Sequence, residues 1–217
     1  ALDILKLGYN VFLTGAAGSG KTFLLNTYIA YLREHGVGVA VTASTGIAAT
    51  HLGGQTIHSW SGIGVRDALS DGELRELIEH GRAARNFRKA KVLIIDEISM
   101  LHARQLDMVE RVLKHTLDFT KPFGGLQVIL CGDFFQLPPI TRDDYSREKT
   151  FAYEGSAWNV GEFKVCYLSE QFRQGDDPIL AVLNSIRSGI AGEHTKVPLR
   201  TRYKKEPAGN VYPTRLY

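Results

Sequence analysis

Apolar residues in this chain fall into short unbroken runs, at 11–14, 37–42, 92–96, 126–130 and 163–168. Each run has strand length and lacks polar alternation, the pattern of a strand covered on both faces. The stretches between them repeat at helical spacing, at 21–35, 103–117 and 179–187. In the second of these, Leu106, Val109, Val112 and Leu113 share one face. Gly36 and Gly189 stand where helices end, Gly8 closes a helix tail at 1–9, and 47–52 reads as a short helix. Strands alternating with helices predict an α/β fold, a parallel sheet with helices on both faces.

Two regions depart from this rhythm. Residues 53–91 read as an excursion from the sheet: a break at Gly53-Gly54, a short extended piece at 56–60, flexible glycines at 62 and 64, and an amphipathic helix at 72–80. The basic stretch 82–91 reads as a solvated helix face, with DNA contact as the sharper alternative. Past residue 191 the chain is polar and basic, and no element is expected before Val211.

Composition narrows the class without naming an activity. A 44% hydrophobic and 23% charged chain of 217 residues has the makeup of a soluble globular protein. Its net charge of +3 permits a nucleic-acid partner but does not argue for one. Cys131 and Cys166 each sit inside a strand-like run and read as small buried hydrophobes, not as a disulfide or metal pair. No apolar stretch approaches the ~20 residues of a membrane span, so no membrane partner is expected. With no signal peptide, the expected location is intracellular: cytoplasm or nucleoid in a bacterium, nucleus or mitochondrion in a eukaryote.

The chemistry starts at Gly15-Ala16-Ala17-Gly18-Ser19-Gly20-Lys21-Thr22, between a strand and a helix. A loop that wraps a triphosphate needs small residues, so that several backbone N–H groups come within reach of phosphate oxygens. Lys21 adds charge toward the β- and γ-phosphates, and Thr22 offers a hydroxyl to Mg2+. The bland alternative, a glycine turn capping an ordinary helix, leaves the Lys-Thr pair unexplained. Asp96, at the end of a buried strand, is expected to hold the metal, and Glu97 to act as general base on the attacking water. Gln136, in Gly132-Asp133-Phe134-Phe135-Gln136, either senses the γ-phosphate or caps a turn over core aromatics. Arg173, after the last strand, either meets the developing phosphoryl charge or is a surface residue. Thr42, Ser44, Thr45 and Gly46 put hydroxyls and N–H groups at a helix start where a phosphodiester can sit. His58 and Trp60 are candidates for stacking on an unpaired base, or else core aromatics.

Taken in order, the blocks 15–22, 41–60, 93–100, 128–139 and 168–174 resemble a superfamily-one DNA helicase. The wording of 42–49, 94–100 and 132–139 resembles the petite-integration-frequency (PIF) family, over nearly the whole chain to about Gly189. The resemblance implies a P-loop NTPase of RecA-like fold, with ATP and Mg2+ as cofactors and ATP-driven 5′-to-3′ movement on single-stranded DNA. It also implies unwinding of duplex or fork DNA in repair, recombination, replication and telomere maintenance. Lys21, Glu97, Gln136 and Arg173 would be catalytic, Thr22 and Asp96 would hold the metal, and Thr45, Gly46 and His58 would grip the strand.

The same resemblance sets the expected domains: a motor domain at 1–190 with a small insertion near 60–70, then residues 191–217 leading toward a second RecA-like domain that the sequence lacks. A glutamine that reads adenine in the family is also missing ahead of the P-loop. The chain is expected to be a monomer which, alone, binds Mg-nucleotide weakly and neither unwinds DNA nor hydrolyses ATP strongly in its presence. Three alternatives compete: a RecD- or relaxase-type helicase, a P-loop regulatory module that does not bind DNA, and a small-molecule kinase. No acceptor pocket or arginine-bearing lid is legible for the kinase, and Phe134 to Pro139 points away from the relaxase type.

Overall fold

A computed structural model describes residues 1–80, 83–140, 150–170, 178–201 and 203. Among them, six strands form one all-parallel sheet: β1 (Val11–Gly15), β2 (Val39–Ala43), β3 (Gln55–Thr56), β4 (Val92–Asp96), β5 (Gln127–Cys131) and β6 (Lys164–Leu168). Their order across the sheet is β3-β2-β4-β5-β1-β6. The helices are α1 (Leu2–Lys6), α2 (Lys21–Glu34), α3 (Gly46–His51), α4 (Ile57–Ser61), α5 (Asp71–His80), α6 (Ala83–Lys89), α7 (Ala103–Thr116), α8 (Ser156–Val160), α9 (Pro178–Arg187) and α10 (Glu193–Arg200).

The unbroken apolar runs have a direct cause. Successive strand side chains point to opposite faces, and here each face meets its own hydrophobic cluster. Phe12, Leu93, Ile95, Val128 and Leu130 pack with Leu106, Val109 and Val112 of α7. Val11, Leu13, Val92, Ile94 and Ile129 pack with Leu5 of α1 and Leu25, Ile29 and Leu32 of α2.

The register aligns the carboxyl ends of the strands. Ala43 pairs with Asp96, Ile95 with Leu130, and Leu13 with Cys131, while Gly15 pairs with Leu168 on the other side of β1. The turns leaving β1, β2, β4 and β5 therefore emerge along one edge, where open α/β sheets hold their ligands.

Three expectations change here. Residues 56–60 are not extended: Thr56 ends β3, and its hydroxyl accepts from Ser59 N at 3.2 Å to start α4. The helical turn buries Ile57 and Trp60 together, three residues apart. The basic stretch is only half solvated, because α6 buries Ala83, Ala84 and Phe87 while Arg85, Arg88 and Lys89 stay outside. Residues past 191 do form an element, α10, whose Glu193 pairs with Lys196 and Arg200.

The excursion at 53–91 shares its core with the sheet: Ile57, Trp60, Ile63, Leu69, Leu74 and Phe87 belong to the same cluster as Leu93 and Ile95. Arg111 of α7 ties it down further, donating to Leu69 O at 2.5 Å and pairing with Asp71. The chain divides into two compact units, residues 1–172 and 173–217, and α9 falls in the later one. Within that later unit α9 and α10 pack together, and Ser185 Oγ lies 3.3 Å from His194 Nε2.

Candidate nucleotide and nucleic-acid site

The loop after β1 is shaped by what its glycines avoid. Gly15 has φ of 153°, and a Cβ there would lie 2.5 Å from Leu168 O and 2.7 Å from Ser19 Oγ. Gly20, at φ of 87°, starts α2 in the left-handed region with no side-chain cap. The first N–H groups of this 14-residue helix are thus left for a ligand. Ser19 adds a hydroxyl that is 2% exposed and has no hydrogen-bond partner among the described residues. Lys21 Nζ is held over the loop by Gly15 O at 2.9 Å and Ala16 O at 3.1 Å. Backbone donors, an orphaned hydroxyl and an ammonium in one turn fit a polyphosphate.

A cavity of about 620 Å³ opens beside this loop. Its walls include Thr22, Asp96, Glu97 and Gln136, residues more than a hundred positions apart in the chain that the sheet edge brings together. Thr22 and Asp96 offer hard oxygens of the kind magnesium takes, and magnesium completes its shell with water when protein ligands are few. Asp96 Oδ1 accepts from Glu97 N at 2.9 Å, and the carboxylate sits beside the buried Cys131 thiol. Burial, then the neighbouring Asp96 charge, pushes the Cys131 thiol well up, so it stays protonated.

Glu97 has a left-handed backbone, φ 52° and ψ 45°, which for a non-glycine residue costs on the order of 1–3 kcal/mol. Its main chain is pinned on both sides: N–H to Asp96, and the carbonyl accepting from Ser44 Oγ at 2.8 Å and Met100 N at 3.1 Å. Burial raises the Glu97 carboxyl above its ordinary value, the charges of Asp96 and Asp133 add to this, and Lys21 partly offsets it. A carboxylate with raised affinity for a proton is a better general base than a free one.

Gln136 is aimed by a residue that sequence reasoning missed. Asp133 is 1% exposed; its Oδ2 accepts from Gln136 Nε2 at 3.2 Å and its Oδ1 from Phe135 N at 3.2 Å. A carboxylate following a buried strand and preceding a polar side chain by three was the legible signal. Phe134 anchors the turn, its ring 5.4 Å from Phe12 and 4.8 Å from Tyr153, whereas Phe135 is 74% exposed and is not core. Ser99, Ile47 and His51 also line the cavity, and no pattern along the chain singles them out. Arg173 lies outside the described residues.

The candidates for gripping a strand separate on inspection. Thr42 is fully buried, and its hydroxyl donates to Ile94 O at 2.6 Å; it is a rivet between β2 and β4 and offers nothing to a phosphodiester. Ser44 is also buried, with Ser44 N donating to Asp96 O at 3.0 Å and its hydroxyl committed to Glu97. Trp60 is 4% exposed against Phe87, their rings 4.8 Å apart, and has no free face for a base. Thr45 and Gly46 do reach the surface, Thr45 with its hydroxyl capping α3 and lining the cavity. His58 is half-buried on α4, away from the cavity walls.

Comparison with known proteins identifies this arrangement. The profile of the PIF1-like helicase family matches residues 3–182. Along its full length the chain is 52% identical to the ATP-dependent DNA helicase Pif1 of Psychrobacter sp., covering 34% of that protein. Its fold is similar to the crystal structure of Pif1 helicase from Candida albicans, with a TM-score of 0.83 and 37% identity over 95% of this chain and 47% of that one. It is also similar to a Bacteroides Pif1 helicase in complex with ADP-AlF3 and ssDNA, with a TM-score of 0.75 and 31% identity over 96% of this chain and 50% of that one. The chain thus spans about a third of the first relative's length and about half of these solved chains. The match in family profile, full-length identity and fold establishes that this chain belongs to the PIF1-like helicases.

Proposed function

We propose that this chain carries the nucleotide site of an ATP-dependent motor that moves 5′ to 3′ along single-stranded DNA and separates the duplex ahead of it. The observation that carries this reading is the convergence of Thr22 from the phosphate loop, Asp96-Glu97 and Gln136 on one cavity that Thr45 and residues of α3 also line. The Bacteroides relative, which holds ADP-AlF3 and ssDNA together, supports it.

In this mechanism the loop N–H groups and Lys21 hold the β- and γ-phosphates, with Ser19 completing the cradle. Thr22 and Asp96 would hold magnesium, which when bound neutralises phosphate charge. Glu97 takes the proton of the attacking water, Gln136 is set by Asp133 against the γ-phosphate, and Arg173 supplies positive charge as the phosphoryl group departs. Thr45, Gly46 and His58 contact the strand, and a second RecA-like lobe closes over the nucleotide. The test is strand separation by the full-length protein on a fork labelled with fluorophore and quencher. ATP-dependent opening of a 5′-tailed fork, with a 3′-tailed duplex left intact, is expected. Opening that requires a 3′ tail, or that proceeds without ATP, would contradict the reading.

A further inference from the structure

We propose that Ser44 is a positioning residue that links the strand-facing turn to the general base, and that it is not itself a DNA contact. The inference rests on the helicase reading above and deepens it. Two bonds tie the turn after β2 to the end of β4: Ser44 N to Asp96 O at 3.0 Å, and Ser44 Oγ to Glu97 O at 2.8 Å. With the hydroxyl committed and the residue 9% exposed, no donor is left to reach a phosphodiester.

The carbonyl it binds belongs to the one residue of this segment held in a left-handed backbone, Glu97 at φ 52°. Such a conformation persists only where its surroundings over-determine it. Here those surroundings are Asp96 Oδ1 on the N–H side and Ser44 with Met100 N on the carbonyl side. Asp96 and Met100 belong to the same segment as Glu97; Ser44 comes from the turn after β2. The residue after Ser44 is Thr45, the cap of α3 and a wall of the cavity that Glu97 also lines. A shift of Thr45 and Gly46 on a DNA strand therefore moves Ser44 and, through one hydrogen bond, the backbone torsion that aims the Glu97 carboxylate. DNA binding and hydrolysis are coupled across a single side chain.

The experiment uses the full-length protein with Ser44→Ala and Ser44→Thr, an oligo-dT probe and ATP. Losing one net hydrogen bond at this pivot is expected to lower kcat at saturating oligo-dT about tenfold, with ATP KM and oligo-dT Kd within about twofold of the parent. Ser44→Thr, which keeps the hydroxyl, is expected to restore kcat, and the thermal midpoint of Ser44→Ala to stay within a few degrees. An unchanged kcat in Ser44→Ala overturns the proposal. So does a weakened oligo-dT Kd with kcat intact at saturation, which would make Ser44 a DNA contact. A fall in kcat in both variants alongside a lowered midpoint would make Ser44 a packing residue and also overturn it. If the parent protein shows no stimulation by oligo-dT at all, the helicase reading fails first. That result is distinct from a stimulated parent matched by Ser44→Ala, which removes only the Ser44 assignment.

Discussion

Glu97 is where residue-scale chemistry is most exposed to test. Its carboxyl is raised above the ordinary 4.5 by burial first and by Asp96 second. As a general base it works only when ionised, so hydrolysis is expected to fall on acidification at a pH above the ordinary carboxylate value. A kcat–pH profile measures this. The stability sign runs the other way. A raised folded-state pKa means the folded protein favours the protonated form, so this residue's contribution is greatest below the unfolded value and is lost as pH rises through the folded one. At neutral pH Glu97→Gln is therefore expected to abolish hydrolysis yet stabilise the fold, read as a raised Tm. Thr42 makes the converse case: its buried hydroxyl donates to Ile94 O. Thr42→Val is expected to cost about 1 kcal/mol in urea unfolding while leaving oligonucleotide affinity unchanged. A large loss of DNA affinity would return Thr42 to the strand-gripping set.

Among the elements, those whose burial leaves an apolar pattern along the chain were legible, and those held by one or two contacts or built from polar sequence were not. Strand β4 could be read because both its faces are buried, Leu93 and Ile95 on one side and Val92 and Ile94 on the other, leaving no polar alternation. α7 could be read because four turns repeat one apolar face. α4 could not: five residues hold too little periodicity, and Thr-Ile-His-Ser-Trp is rich in types that favour strands, so only the Thr56 cap betrays a helix. α10 was hidden by a polar sequence with Pro198 inside it. α6 was legible as basic but not as anchored, since its anchor is the single ring of Phe87, 0% exposed and packed on Trp60. Phe87→Ala is expected to destabilise the protein by about 3–5 kcal/mol in equilibrium unfolding. A loss below ~1 kcal/mol would mean that the helix is solvated all round after all.

At the scale of the whole molecule, strand order explains why a site scattered along the sequence is compact in space. β1 lies between β5 and β6, and β4 between β2 and β5, so the turns carrying Lys21, Ser44, Asp96 and Gln136 leave one edge of one sheet. Motif order made this grouping legible in advance, because each motif follows a buried strand. What it could not reveal was which side chain of a motif turns inward. In the stretch 42–46, Thr42 and Ser44 are spent on β4 and Glu97, and only Thr45 and Gly46 remain for a partner. The decisive measurement is ATP hydrolysis by the full-length protein, with and without single-stranded DNA, for the parent and Glu97→Gln, alongside nucleotide binding by both. Strong stimulation of the parent by DNA is expected, with a variant that binds nucleotide but does not hydrolyse it. Hydrolysis indifferent to DNA, or retained by Glu97→Gln, would contradict that expectation.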